Sequence, residues 1–519
     1  MAERAGSDRP GNVLLIVADQ WRWDCLSALG HPTVRTPHLD ALAAEGTLFA
    51  SHFTQASPCG PARASLLTGL YLMNHRSVAN GTPLDQRFDN LAWAARRQGL
   101  TPFLFGYTDA SPDPRFRAPA DPDLTSYEGV LPGFEVGLRM TEAFKPWRAA
   151  LKRRGYALPD APYGPFPAGR DPEGRRHPLA ASPFDAKDSL SAFGTDAFLD
   201  WLSVEDGRWL SLLTFLHPHP PLLAPAPYHA LFAPADCPPP SRLADPAAEA
   251  ALHPFLGWYH GERQVLAYSP DYAVPVAELN AAEVRRVRAT YYGLIAEVDA
   301  QVGRIVEALK ASGRWDDTLI VFTVDHGEML GDHWMFGKRG FFDPAFRIPL
   351  IVRDPRPEAD RARGRVVEAF SEAVDVMPTV IDWLGGAVPP ACDGASLRPW
   401  LHGETPSGWR DAAHFEFDFR DPVTRSAERA LGLPPEACCL AVRRGPRWKS
   451  VHFAGPAGIL PPLLFDLESD PGEFENLAAA PAHQARLLEE TQALLSWRLA
   501  QAPRELADLL VTARGVVGP

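Results

Sequence analysis

Cysteine is scarce: six residues, Cys25, Cys59, Cys237, Cys392, Cys438 and Cys439, are scattered through 519 positions. Neither their number nor their spacing suggests a disulfide framework or a zinc site, and a reducing cytoplasm is the simplest setting for them. Missing too is any run of about 18 apolar residues, so no membrane-spanning helix is expected. The N-terminal stretch Met1–Gly11 is polar and leads straight into a strand-like segment, so no signal peptide is visible. Positive charge is not in excess: the net charge of −13 argues against nucleic acid or an anionic membrane as the main partner. It says little about the substrate, because a site can be locally positive inside an acidic protein. Internal repeats and long low-complexity tracts are absent as well.

What is present is an ordinary globular composition, 46% hydrophobic and 22% charged, in a chain long enough for one large α/β domain and a smaller one. Residues 10–400 read as the large part, 401–500 as a C-terminal subdomain and 501–519 as a tail. The 53 prolines cluster between Ala110 and Pro183 and between Pro218 and Pro240, where long irregular loops are expected to shape a pocket. Five short apolar runs look like buried parallel strands: Asn12–Asp19, Thr101–Tyr107, Trp209–Leu216, Thr318–Val324 and Ile348–Val352. Helical patterns fall between them, at Leu39–Gly46, Ala62–Leu72, Leu91–Gln98 and Ala281–Ser312. The fold class is therefore α/β: a large mixed, mostly parallel sheet sandwiched by helices, with a smaller C-terminal α+β subdomain.

In such sheets ligands bind beyond the carboxyl ends of the strands. Asp19-Gln20 follow the first strand, Tyr107-Thr108-Asp109 the second, His217-Pro-His219-Pro-Pro221 the third and Asp325-His326-Gly-Glu328 the fourth. Four strands thus deliver polar and ionisable groups to one edge, where chance would scatter them over both. The strongest single motif is Ser57-Pro-Cys59-Gly-Pro61-Ala-Arg63-Ala-Ser-Leu-Leu-Thr68-Gly69. Pro61 suits the first turn of a helix. Cys59 then lies at a helix N-terminus, where free N–H groups favour negative charge, and Arg63 is four residues on. Taken alone, the pattern reads better as a buried structural cysteine before an ordinary helix.

Cys59-x-Pro61-x-Arg63 followed by Leu67-Thr68-Gly69 resembles the signature of the sulfatase family, part of the alkaline phosphatase-like superfamily. Asn12–Asp19, Pro37–Gly46, Asp325–Lys338, Ile348–Val352, Ser371–Thr379 and Leu464–Leu477 are similar to further family landmarks, so the resemblance runs from about residue 12 to 480. Many family members carry Asp-Asp after the first strand and Asp-Asn after the later one. Here the pairs are Asp19-Gln20 and Asp325-His326, a combination similar to the phosphonate monoester hydrolase branch. That branch places a hydroxyl residue where this chain has Asp109, so either Thr108 takes that role or the hydroxyl is missing.

The resemblance implies that Cys59 is oxidised to formylglycine by a maturation enzyme. Asp19, Gln20, Asp325 and His326 would hold one divalent cation, with an oxygen of modified Cys59 as a further ligand. Mn²⁺ or Ca²⁺ suits this set, and Zn²⁺ stays open. One hydroxyl of the hydrated aldehyde, activated by the metal and Arg63, would attack phosphorus or sulfur, and the second would release the product. Lys338 and His219 would meet substrate oxygens and the leaving group, with His217 as the competitor for His219. Asn80, Tyr107 and Thr108 would bind substrate, although Asn80-Gly81 is also a good turn and Tyr107 could be core. The implied activity is hydrolysis of small-molecule phosphonate monoesters, phosphodiesters and sulfate monoesters. The alternatives are a dedicated arylsulfatase and a non-catalytic binding protein on the same scaffold. In the tail, Leu506, Leu509 and Leu510 fall at helical spacing within Arg504–Arg514. A terminal helix docking on a neighbouring chain is expected, in a homotetramer like those of the branch it resembles.

Overall fold

An apolar run flanked on both sides by parallel strands is buried along its whole length, and Asn12–Asp19 (β1) is buried at all eight positions. The computed structural model describes residues 11–141, 143–159, 169–170, 176–177, 180–261, 265–269, 272–502 and 509–517. Eight further strands join β1 in one sheet: Thr47–Phe53 (β2), Thr101–Gly106 (β3), Glu135–Arg139 (β4), Trp209–Pro218 (β5), Thr318–Val324 (β6), Arg347–Arg353 (β7), Arg365–Val367 (β8) and Ser371–Glu372 (β9). The order is β8-β2-β7-β6-β1-β5-β3-β4, with β9 also on β2. Every pairing is parallel except those of β7. Ile348–Val352 is therefore not a parallel strand. The loop from Asp325 to Phe346 returns the chain at the edge it left, without a crossover, and β7 must run backwards.

Helices Pro37–Ala44 (α1), Cys59–Thr68 (α2), Leu91–Arg97 (α3), Leu190–Leu202 (α4), Ala281–Ala311 (α5) and Val376–Trp383 (α6) cover the two faces. α1 and α4 pack on α5, and α2 and α3 pack on α6, which makes two separate layers. The 31-residue α5 starts with a reciprocal cap between Asn280 and Glu283 and packs on β5. A second, antiparallel sheet follows, Ala413–Asp418 (β10), Cys439–Arg444 (β11), Trp448–Phe453 (β12) and Leu463–Asp466 (β13), with Gln484–Ala500 (α7) against it. It shares an aromatic core with the main sheet: Phe346 stacks on Phe415 at 4.3 Å, and Phe53 lies 6.0 Å from the same ring. The proline-rich stretch between Ala110 and Pro183 is less irregular than expected, since it holds β4 and a helix at Lys145–Arg153.

The tail differs from its expected helix. Leu510–Thr512 (β14) pairs antiparallel with Gly515–Val517 (β15). The β-branched Val511, Thr512, Val516 and Val517 around Gly515 outweigh the leucine spacing. Leu509 precedes the hairpin, and Arg504 and Leu506 lie outside the described residues.

Candidate active site

Ala18 in β1 is level with Val324 in β6 and Phe215 in β5, so three adjacent strands end together. This register gathers Asp19, His219 and the pair Asp325-His326. One strand further out, β3 ends at Gly106 (φ 121°), where a Cβ would overlap the Thr214 hydroxyl. That close approach lets the Tyr107 N–H donate to Thr214 Oγ1 at 2.9 Å and turns Tyr107 into the cluster. From the other side α2 presents Cys59 at its first residue. The Gly60 N–H, one of the unpaired donors at that helix end, donates to Asn80 Oδ1 at 2.8 Å.

The floor of the site is buried. Arg63 donates from Nε to Asp325 Oδ2 at 3.0 Å and from a terminal nitrogen to Asp19 Oδ2 at 3.2 Å, and Asp109 Oδ2 lies 3.3 Å from Nε. Tyr107 donates its hydroxyl to Asp19 Oδ2 at 2.9 Å, and its ring lies under the guanidinium at 4.4 Å. Cys59 Sγ is 3.3 Å from His326 Nε2 and 3.1 Å from Lys338 Nζ. Gln20 takes a left-handed backbone conformation (φ 62°) after β1, and its N–H donates to Asp325 Oδ1 at 3.1 Å. Its side chain bridges two groups: Nε2 donates to Glu328, and Oε1 accepts from Lys338 Nζ at 2.7 Å.

Burial pushes the Asp19 carboxyl up, but the positive groups that face it, His219 when protonated, Arg63 and Lys338, outweigh it and hold the group well below the usual range. Asp325 goes the other way, raised by burial and by Asp19. Burial, then Asp19, raises the Cys59 thiol well above its ordinary value. His326 is pressed far down by burial and Lys338, so its ring is neutral. Its Nδ1 faces the Gly327 carbonyl at 3.1 Å, which places the proton there and leaves the Nε2 lone pair facing the carboxylates.

Ligand atoms of Asp19, Cys59, Asp325 and His326 lie within 4.8 Å of one another. Two facing carboxylates, one raised by the other, with a neutral imidazole aimed between them, fit a divalent cation that would absorb the repulsion. Gln20 borders this group and could add its Oε1 by exchanging the Lys338 ammonium for the ion. The mouth is lined by half-buried His219 and Lys338 and by exposed Asn80. His219 Nδ1 is 2.6 Å from the Pro220 carbonyl, which leaves Nε2 as its other ring nitrogen. His219 is close enough that its protonation would bear on both Asp19 and His326. Buried His217 sits behind it, with Nδ1 3.4 Å from the His219 carbonyl.

Of the residues expected here, Thr108 alone turns away. It donates to the Gly129 carbonyl at 2.7 Å and accepts from the Leu131 N–H at 3.1 Å, so it braces a loop. Two carboxylates were not given roles from the sequence. Asp109 joins the cluster through Arg63, and Glu328 holds Gln20. The latter contact spans 308 residues, and no local pattern announces it.

A doubly covered α/β sheet with a buried acid, histidine and thiol cluster past its strand ends defines an ester hydrolase of the alkaline phosphatase-like class. The chain belongs to the sulfatase family: the sequence model described as Sulfatase matches residues 11–387, and that of the N-sulphoglucosamine sulphohydrolase C-terminal region matches 331–500. It is 43% identical to the multifunctional alkaline phosphatase superfamily protein PehA of Trinickia caryophylli, over 97% of this chain and 98% of the relative. The phosphonate monoester hydrolase of Agrobacterium radiobacter superposes with a TM-score of 0.91 at 46% identity, covering 98% of this chain and 99% of that one. The arylsulfatase of Clostridium perfringens is more distant, at 24% identity over 92% of each chain. Members of the family use a metal ion and formylglycine.

Proposed function

We propose that this hydrolase cleaves phosphonate monoesters and phosphodiesters, with activity on sulfate monoesters, using formylglycine at position 59 and one divalent cation, Mn²⁺ or Ca²⁺. The observation that carries the reading is the Gln20 and His326 pairing around Asp19, Cys59 and Asp325, in a chain similar along its whole length to a phosphonate monoester hydrolase. The thiol Sγ of Cys59 stands where an oxygen of hydrated formylglycine would stand. Asp19, Asp325 and His326 would hold the cation, with Gln20 at its border. When bound, the cation supplies Lewis acidity to the oxygen at position 59 and to the ester. A formylglycine-generating maturation enzyme is the implied partner.

The chain's own groups do the rest. Arg63, fixed by three carboxylates, keeps Asp19 ionised and stabilises negative charge beside position 59. Lys338, 3.1 Å from Cys59 Sγ, is placed to receive a non-bridging oxygen of the ester. Asn80 and Tyr107 orient the ester from the mouth and the floor. His219 faces the leaving side. Burial and Lys338 press its pKa down to about 4, and an anionic ester drawn against it raises its proton affinity, so proton donation is coupled to binding.

Initial rates on an aryl phosphonate monoester, a phosphodiester and an aryl sulfate test the reading, together with mass spectrometry of the peptide containing Cys59. The two phosphorus esters should be turned over faster than the sulfate, and residue 59 should have the mass of formylglycine. Faster turnover of the sulfate would favour a dedicated arylsulfatase, and an unmodified thiol in fully active enzyme would sink the mechanism.

A further inference from the structure

Asp109 places a third carboxylate on a guanidinium that already has two. Arg63 is paired with Asp325 at 3.0 Å and Asp19 at 3.2 Å, and Asp109 adds a contact at 3.3 Å with a side chain only 4% exposed. Burying a further charge is expensive, and Arg63 is neutralised without it. Asp109 lies outside the group of four that could hold a cation, so a bound ion would not take up its charge through direct ligation. Its place is tightly set. The backbone is left-handed (φ 51°), a conformation that Asp and Asn tolerate and β-branched residues avoid. Its carbonyl abuts Gly60, where a Cβ would meet it at 3.2 Å, so Asp109 sits beside the turn that carries the nucleophile. Its charge is felt at Cys59 itself.

We propose that Asp109 is a specificity-determining residue whose fixed negative charge makes the site select tetrahedral esters with one negative charge over those with two. This rests on the function proposed above. Phosphonate monoesters, phosphodiesters and sulfate monoesters carry a single charge; phosphate monoesters and inorganic phosphate carry two near and above neutral pH. All would meet the same donors through the same oxygens, so the donors do not separate the two groups. Repulsion from a nearby carboxylate does, because it scales with ligand charge and a dianion feels it twice. At a separation of about 6 Å and an effective dielectric of about 20, each extra unit of charge corresponds to a factor of about 100 in affinity, and screening by the mouth reduces this towards ten.

Asp109→Asn tests the proposal, because it removes the charge and keeps both the shape and the tolerance for a left-handed backbone. The comparison is kcat/KM for an aryl phosphate monoester against a phosphodiester with the same leaving group, at a pH where the monoester is a dianion. Inhibition by inorganic phosphate and by dimethyl phosphate is measured in parallel. In the variant the monoester-to-diester ratio should rise by at least about ten-fold, and inhibition by inorganic phosphate should tighten by a similar factor relative to dimethyl phosphate. Asp109→Glu, which keeps the charge, should leave the ratio near that of the parent. An unmoved ratio in Asp109→Asn overturns the proposal. If that variant loses turnover, binding of inorganic phosphate against dimethyl phosphate decides in the same way: a selective gain for phosphate supports the proposal, and no gain overturns it. A parent enzyme that hydrolyses neither phosphonate monoesters nor phosphodiesters would instead overturn the function on which it rests.

Discussion

Gln20 is held from both ends, and the direction in which it is held follows from donor and acceptor counting. Glu328 Oε1 is taken by two backbone donors, the Leu330 N–H at 2.8 Å and the Gly337 N–H at 2.6 Å. Oε2 is left to accept from Gln20 Nε2, which forces Gln20 Oε1 towards Lys338 and the cation group. In Glu328→Gln the amide nitrogen replaces Oε2 and meets Gln20 Nε2, donor against donor. Gln20 must then either keep an unsatisfied contact or flip and point its NH₂ at the Lys338 ammonium. Either outcome costs on the order of 1–3 kcal/mol, so kcat/KM on a phosphonate ester should fall about ten- to one-hundred-fold. Adding Gln20→Glu restores an acceptor opposite the new donor and should recover much of the loss. A double variant no better than the single would show that Glu328 is merely structural. The contrast with Cys59 explains what could be read in advance. Cys59, Pro61 and Arg63 lie within one helical turn, so their spacing carries the chemistry, whereas the contacts of Glu328 and Asp109 arise only when distant strands come into register. Thr108 braces a loop, and its adjacency to Tyr107 says nothing about which way its side chain points.

Among the elements, β1, β3, β5 and β6 announce themselves as uninterrupted apolar runs because both their faces are covered. β2 (Thr47–Phe53) carries Thr47, Ser51 and His52 and is less uniform, and β4 is an exposed edge strand, so neither stands out from its composition. Direction is not written in a strand at all, which is why β7 reads as parallel and is not. The long helix α5 was legible from its apolar pattern, but its buried acids, Glu297 and Asp299, were not. Glu297 is fully buried and accepts from Ser191 Oγ at 2.8 Å and from the Ser189 hydroxyl at the N-cap of α4. Burial pushes its carboxyl up to about 7, against the pull of the two hydroxyls. In the unfolded chain a Glu ionises near its ordinary value of about 4.3. Between that value and about 7 the unfolded state loses its proton first, so stability falls as pH rises through this window and levels off above it. Glu297→Gln removes the penalty. Relative to the parent, the variant should gain little at pH 5 and up to about 3 kcal/mol at pH 8. Thermal unfolding at the two pH values measures it, and an equal shift at both would show that the carboxyl is ionised in the fold.

For the whole molecule, the two strands described in the tail pair only with each other. Asn74 Nδ2 donates to the Gln501 carbonyl at 2.8 Å, which ties the chain down where α7 ends. Past that point β14 and β15 form a lone two-stranded ribbon, with Leu510 64% exposed, Val511 81% and Val516 65%. A two-stranded ribbon is marginal in water, and an apolar one offers both its faces and its open edges to another chain. The proposed site needs no such contribution: the group that could hold a cation, Arg63, Lys338 and His219 all come from residues before 340. The ribbon therefore fits a role in assembly rather than chemistry, and a homotetramer built as a pair of dimers is expected, with the ribbon seated on a neighbouring copy. Light scattering on the full chain and on a chain ending at Gln501 separates the cases. The full chain should scatter as a tetramer and the shortened one as a smaller species, while turnover per site stays within about two-fold, because the candidate site is built from residues before 340. Equal monomeric masses would rule the tail out as an assembly element and leave the hairpin as a ribbon that folds back on its own subunit.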